Sequence, residues 1–575
     1  MKVSDYIAQR LRTAGVSTVF GYQGSSIAHM IDSVCRSGLN FVEARHEQGA
    51  AFSANAYASA SGELGVAIAC SGPGAINLLG GVANAYYDSI PCLFITGQVS
   101  VKEIKKNPEM RQYGFQETDI VSMTKAITKY TVSLREPEQI VYELDKAIWL
   151  CREGRPGAVV LDIPHNVQNA QVDPKKAARF VPEVDSVKEV RIPENILEDF
   201  QQSKRPLILL GGGSQQLREQ PEILSEMMGL GIPIVSSYRG KDVVDNTSEL
   251  FVGTIGAYGN RSANLAMCYC DYLICLGSRM DGRQFPDGVA QTLKEASGVI
   301  VDIDSTEHGD VPEGFYRLSM EVSEFVSAFA REAKGRTDHV KWRQTLQRWC
   351  TRYPDQAEYR LETGVNPNRL MHLLSRYAAE DAAFTVDVGQ NQLWANASLR
   401  IHHQQRLIQS CGLGAMGYAL PGAIGAYCAN QTQTICICGD GGFQMNLQEL
   451  QVIAQYHIPV IIVILNNQSL GLIRVYQEKA LGNRYFGSVE GFGSPDYKML
   501  AASYGIPYTL IGSDSCDETI KEILDKKQAH IIEVHISSDS TCYPEPTYGS
   551  TIDNQSLELS AEEKKQIKEE ATGNV

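Results

Sequence analysis

The 575-residue sequence contains no apolar stretch long enough to cross a bilayer. Its longest such run, Pro459 to Leu465 (PVIIVIL), has the length of a buried strand. Nor does it contain a block of Lys and Arg. With 52 basic against 67 acidic residues the net charge is -15, which argues against a nucleic-acid-binding surface, because neutralising phosphates requires clustered cations. The opening segment, MKVSDYIAQRLRTAGV, lacks the apolar core of a signal peptide and reads as an amphipathic helix opened by Ser4 and Asp5, so a cytoplasmic protein is expected. The fourteen cysteines show no metal-ligand spacing. Pairs such as Cys268/Cys270 and Cys436/Cys438 sit in apolar stretches and are expected to be reduced core residues. No short tandem repeat occurs, which argues against a repeat array.

What the sequence does contain is an ordinary globular composition, 43% hydrophobic and 21% charged, on a chain too long for one core. Short apolar runs alternate with amphipathic segments throughout, the pattern of parallel sheets covered by helices. Expected strands of the first unit are Thr18 to Gly21, Phe41 to Arg45, Gly65 to Cys70, Pro91 to Gly97 and Ala158 to Ile163. A proline-flanked, charged stretch, Pro182 to Pro193, reads as a linker. The second unit has expected strands at Pro206 to Leu210, Pro233 to Ser236, Tyr272 to Leu276 and Val299 to Ile303, with glycine-rich turns at Gly211 to Gly213 and Gly253 to Gly259. A polar helical connection from Arg331 to Asn366 leads to a third unit with strands at Phe384 to Val388, Thr434 to Cys438, Pro459 to Leu465 and His530 to His535. The expected fold class is α/β with three doubly wound parallel-sheet domains, at 1–181, 190–335 and 365–540, followed by a charged tail without periodicity at 541–575.

The most informative stretch, TICICGDGGFQMNLQELQVIAQYHIPVIIVILNNQSLG, reads strand, glycine turn, helix, strand, polar turn. In such a unit both strands end on one edge of the sheet, so Asp440 and Asn467, 27 positions apart, can converge. Oxygen donors there suit a hard cation such as Mg2+, and Gly439, Gly441 and Gly442 allow backbone amides to approach phosphate oxygens at the positive end of the following helix. Either fragment alone would be a turn or a loop; GDG followed about 25 residues later by NN resembles the signature of thiamine-diphosphate-dependent enzymes. The resemblance implies that Asp440, Asn467 and the carbonyl of Ser469 hold the metal. A second segment, RHEQGA, places Glu47 just after a strand, where a carboxyl group could hydrogen-bond the cofactor's aminopyrimidine and promote removal of the thiazolium C2 proton. It resembles the family's RHEQ motif; outside that motif, a glutamate here would simply favour the helix dipole.

Further segments, SGPGAINLLGG, DIP, DVGQNQLWA and GLGAMGYALPGAIGA, extend the resemblance along nearly the whole chain and narrow it to the acetolactate synthase (acetohydroxyacid synthase) large-subunit type. It implies that Gln390 and Asn391 lie at the diphosphate, that the Gly414 carbonyl receives the cofactor amino group, and that Met416 wedges the cofactor into a bent shape. Gln116 and Arg283 join Glu47 as catalytic, Arg283 by pairing with the acceptor's carboxylate. Segments holding Gly212, Gly213, Gly256, Arg279 and Asp302 resemble those that hold FAD, making FAD the third expected cofactor beside thiamine diphosphate and Mg2+. Glycine turns after strands are also common structural features, and that reading stays open. One cofactor touches two subunits in this family, so a homodimer is the minimum unit and a homotetramer the alternative; the need for a regulatory subunit is not fixed.

The rim departs from the family. Gly282 stands for an aspartate, Tyr476 for a tryptophan that favours 2-ketobutyrate, His165 for a lysine and Asn391 for a histidine; Gly24-Ser25-Ser26 alters a GYPGGA loop and the tail differs. The expected activity is therefore decarboxylation of a 2-keto acid, pyruvate first, with transfer of the two-carbon unit to an acceptor carbonyl. Pyruvate, a sugar or a secondary-metabolite ketone as acceptor, simple decarboxylation, and flavin oxidation of the pyruvate-oxidase type all remain open. A catalytically silent homologue would be expected to lack Glu47 or a metal ligand, and both are present.

Overall fold

The computed structural model describes residues 1–182, 190–308, 311–333, 335, 339–355, 364–402, 404–547 and 549–573. Most of the linker expected at Pro182 to Pro193, and part of the connection expected between Arg331 and Asn366, lie outside them. The described chain forms three six-stranded, wholly parallel sheets. The first contains β1 (Thr18–Gly21), β2 (Asn40–Glu43), β3 (Gly65–Ala69), β4 (Cys92–Gln98), β5 (Tyr130–Ser133) and β6 (Ala158–Pro164). The central sheet contains β7 (Pro206–Leu210), β8 (Ile234–Ser236), β9 (Phe251–Thr254), β10 (Tyr272–Leu276), β11 (Ser297–Asp302) and β12 (Phe315–Ser319). The third contains β13 (Ala383–Val386), β14 (Arg406–Gln409), β15 (Thr434–Gly439), β16 (Val460–Asn466), β17 (Tyr508–Ile511) and β18 (His530–His535).

Strand order is β2-β1-β3-β4-β6-β5 in the first sheet and β14-β13-β15-β16-β18-β17 in the third, so these two units share one topology. The central order, β12-β11-β10-β7-β8-β9, is the 3-2-1-4-5-6 arrangement of dinucleotide-binding sheets read from its other edge. Strands such as β16, VIIVILN in sequence, are apolar on both faces because helices cover both faces. Five strands absent from the sequence reading, β5, β9, β12, β14 and β17, all lie at sheet edges. The glycine turn expected from Gly253 begins later: Gly253 and Thr254 belong to β9, paired with β8 across a register shift, and the turn follows through Gly256 to Gly259.

One apolar core runs without a break from the first sheet, through Ala67, Phe94 and Val160, to the third, through Cys436, Ile462 and Ile464. It is bridged by two small-residue helices, Glu47–Ser61 and Ala419–Asn430. They meet so closely that a Cβ on Gly425 would lie 2.0 Å from the Ser53 carbonyl oxygen. Backbone cannot yield as a flexible side chain can, so Gly425→Ala is expected to destabilise the chain by about 3 kcal/mol, the upper end for overpacking, read as a lower urea midpoint.

The tail carries a helix, contrary to the reading of it as aperiodic. Ser560 and Glu563 form a capping box, and the helix Ala561–Thr572 follows. Ile567 and Ala571 are buried with Trp342, Leu346 and Trp349 in one core of the central unit. Trp349 donates its indole N–H to Glu570 at 2.7 Å, and Arg352 pairs with the same carboxylate. The periodicity was hidden because the helix has only a narrow apolar stripe in a run of Glu and Lys. Among the described residues no helix is long and apolar enough to cross a membrane.

Candidate active site

Chain order in the third sheet reverses between β13 and β15, and open parallel sheets bind ligands in the crevice beyond such a point. Gln390 and Asn391 follow β13, Asp440 follows β15, and Asn467 and Ser469 follow β16. Gly439 is in register with Leu465, so Asp440 and Asn467 leave the sheet almost level. Asn467 donates to the Gln390 side-chain oxygen at 3.1 Å and accepts from the Ser469 amide at 3.2 Å. Gln390 in turn donates to the Ser540 carbonyl at 2.8 Å. These expected site residues are thus brought together, with Gly441 donating its amide to Asp440 at 3.0 Å.

The crevice holds a desolvated carboxylate. Asp440 is buried, and burial pushes its carboxyl up to about 7 despite hydrogen bonds from the Gly441 and Gln468 amides and Ser494. The buried Ser469 hydroxyl oxygen has no partner. Among the described residues no three His, Cys, Asp or Glu side chains cluster to hold a metal. A cation at Asp440 would therefore rely on neutral oxygens, a phosphate and water, which is the habit of Mg2+. The residues present fit such an ion with a diphosphate.

The sequence reading gave Asp387 no role, yet it organises the neighbouring loop. Its carboxylate, pushed up to about 7 by burial, accepts the Gly417 amide with both oxygens at 3.0 Å. That contact fixes the Gly414 to Gly417 turn, where both glycines have positive φ and Met416 is half-buried between them. Asn391 donates to the Asp387 carbonyl at 2.6 Å, which ties the segments together. The available signal was a carboxylate directly after an apolar strand.

Glu47 begins its helix behind His46, whose ring nitrogen accepts the Gln48 amide at 3.2 Å. Its carboxylate accepts from Asn77 at 2.9 Å, a partner the sequence reading did not single out. Gln116 lies at the other side of the Gly72 turn, in the left-handed region with φ of 66°. The neighbouring Glu117 carboxylate is buried, yet amides of Lys105, Tyr113 and Gly114 hold it below its ordinary range and brace this loop. Among the described residues no hydrogen bond joins Glu47 or Gln116 to Asp440, Asn467 or Ser469.

A cavity of about 560 Å³ opens where all three units meet. Gly212, Gly213, Arg279, Arg283 and Asp302 line it, with Arg155 and Cys411 from the flanking units. Asp302, at the end of β11, is raised by burial. Gly256 is not on the wall: it packs beneath the Arg283 carbonyl, and its amide is bonded to Asn264 at 3.0 Å. Gly211, Gly213 and Gly277 are packed backbone to backbone, a structural reason for those glycines alongside any ligand. Arg283 lies 4.9 Å over the Tyr238 ring and donates at 3.2 Å to Gln392, two residues after Gln390 on the same helix. Tyr476 is exposed on the helix Gly471–Ala480, while Arg474 of that helix is buried and donates to the Ser540 carbonyl at 2.6 Å.

Comparison with known proteins agrees with this geometry. Residues 1–123, 194–329 and 387–534 match, respectively, the N-terminal TPP binding domain, the central domain and the C-terminal TPP binding domain described for thiamine pyrophosphate enzymes. The chain is 33% identical over 553 residues to an acetolactate synthase large subunit of Porphyra purpurea, covering 92% of this chain and 91% of that one. It is 33% identical over 550 residues to the acetolactate synthase large subunit of Lactococcus lactis subsp. lactis, covering 94% and 93%. To the acetolactate synthase isozyme 2 large subunit of Escherichia coli it is 32% identical over 554 residues, covering 95% and 97%.

Proposed function

Because the chain belongs to the thiamine pyrophosphate enzyme family, with acetolactate synthase large subunits as relatives, we propose that it decarboxylates a 2-keto acid, pyruvate first, and transfers the two-carbon unit to an acceptor carbonyl. The observation that carries this reading is the crevice at Asp440, Asn467 and Ser469, whose buried carboxylate and unpartnered hydroxyl fit Mg2+ and a diphosphate. Thiamine diphosphate, when bound, supplies the carbon acid that adds to the keto carbon and accepts the electrons released with carbon dioxide.

The chain's own residues do the rest. Asp440, Asn467 and the Ser469 carbonyl would hold the metal, and the amides of Gly441 and Gly442 the diphosphate. Asp387 keeps the Gly417 turn in place, so that the Gly414 carbonyl and Met416 position the pyrimidine. Glu47, oriented by Asn77, would hold a proton at the pyrimidine ring. By its resemblance to that family, the chain would work as a homodimer whose two chains complete each other's sites. Arg283, already turned toward Gln392, would pair with the acceptor's carboxylate.

The central cavity fits FAD: it lies at the reversal of a dinucleotide-type sheet, and Asp302 ends the strand where a ribose hydroxyl would be met. The same cavity favours a flavin oxidase as the second reading. One experiment separates them. Purified chain with thiamine diphosphate, Mg2+ and FAD is given anaerobic pyruvate, and carbon dioxide, product mass and flavin absorbance are followed. Carbon dioxide with an intact flavin band and a carboligation product is expected; bleaching of the flavin in step with carbon dioxide would replace transfer by oxidation.

A further inference from the structure

We propose that two buried carboxylates, Asp88 and Glu449, form a reciprocal clasp between the first and third units and act as positioning residues, Glu449 for Glu47 and Asp88 for the Gly414 to Met416 loop. The inference rests on the thiamine-diphosphate reading above.

Glu449 ends the short helical turn Leu447–Glu449 of the third unit and is fully buried. Its carboxylate crosses to the first unit and accepts the Arg45 amide at 3.0 and 3.3 Å, and the His46 amide as well. These are the last two amides before Glu47. The fit leaves no slack, since a Cβ on Gly49 would lie 2.5 Å from the same carboxylate. Asp88 makes the converse contact. It ends the helix Leu79–Tyr87 of the first unit, is buried, and accepts the amides of Gly412 at 2.7 Å and Cys411 at 3.0 Å in the third. Those amides lead directly into Gly414. Arg239 of the central unit donates to the Asp88 carbonyl at 3.2 Å, which steadies the arm from the third side.

The two contacts occupy corresponding places. Asp88 lies in the connection from β3 to β4, and Glu449 in that from β15 to β16, the same crossover of two sheets with one strand order. Arg45 follows β2, and Cys411 follows β14, again the same position. The same contact is thus made twice, once in each direction. Charge-assisted bonds to backbone amides are among the stronger and more directional ones, so each carboxylate fixes its partner segment rather than merely touching it.

Further bonds join the two arms. Asn84 donates to Asn55 on the Glu47 helix at 2.9 Å; the Ser410 hydroxyl donates to Asn84 at 2.6 Å and accepts the Ala415 amide at 2.9 Å. Asn446, three residues before Glu449, donates to the Gly417 carbonyl at 2.8 Å. A misplacement of about 1 Å at a reacting group can lower a rate about 100-fold, so small movements of these segments matter.

The test uses Glu449→Gln and Asp88→Asn in the full chain, with two readouts that need no keto acid. One is the affinity for thiamine diphosphate in Mg2+, the other the rate at which the bound cofactor's C2 proton exchanges into deuterium oxide. Glu449→Gln is expected to slow exchange at least about tenfold while affinity changes little, and Asp88→Asn to weaken affinity at least about tenfold. Gly49→Ala presses on Glu449, and Gly412→Ala on the Asp88 arm, where the added Cβ would meet the Tyr87 carbonyl at 3.0 Å and the Asp88 carboxylate at 3.2 Å; both are expected to show the same split to a smaller degree, and they decide the matter where a carboxylate variant does not fold. Folded variants that bind and exchange like wild type overturn the clasp. Wild type that neither binds thiamine diphosphate nor speeds its exchange overturns the underlying reading, and the clasp with it.

Discussion

Glu47→Gln is expected to release carbon dioxide from pyruvate about 10²- to 10⁴-fold more slowly than wild type, the range lost when a positioned acid or base is removed. The substitution keeps the shape of the side chain and an oxygen for Asn77, whose amide donates to it at 2.9 Å. The helix behind it starts on the His46 cap and is buried along most of its length, and none of that depends on the charge of Glu47. Thermal stability and affinity for the diphosphate end of the cofactor should therefore stay near wild type while turnover collapses. A parallel fall in melting temperature would point to damage rather than lost chemistry, and full activity would remove Glu47 from the mechanism.

Asp440→Asn has its effect at the opposite end of the cofactor. Even an outer-shell partner of a metal is worth 10- to 100-fold in affinity, so loss of the carboxylate expected to hold the metal should weaken Mg2+-dependent binding of thiamine diphosphate by more than about 100-fold. The stability of the ligand-free chain should move the other way. Burial raises this carboxyl from 3.8 to about 7, so ionising it opposes folding increasingly as pH rises through that interval. Asparagine removes that opposition, and the ligand-free variant is expected to melt above wild type at pH 8. Calorimetry with and without Mg2+ and cofactor reads both effects; a variant that still binds tightly would place the metal elsewhere.

The third sheet was the most legible part of the chain because its inner strands are buried on both faces, and an unbroken run such as PVIIVIL has few other uses. The Asp440 and Asn467 pairing followed from chain direction alone, since parallel neighbours end on one edge. Edge strands escaped detection for the converse reason. Residues of β5 are all half-buried, and β12 alternates with exposed positions, so their apolar content falls to that of a loop. Asp88 and Glu449 were invisible for another reason: their partners are backbone amides more than three hundred and more than four hundred residues away, and amides carry no sequence signature. That one cofactor would touch two subunits also could not be read from spacing; it entered only through resemblance.

The docking of the last helix on the central unit has a consequence for the order in which the molecule matures. Trp349 receives its carboxylate partner from Glu570, 221 positions downstream. During synthesis the central unit emerges long before that partner exists, so the ribosome must deliver the whole third unit before the indole is satisfied and the Ile567 side of this core is closed. The core of the middle unit is thus closed only after the third unit has been made, and its closure reports that the third unit is in place.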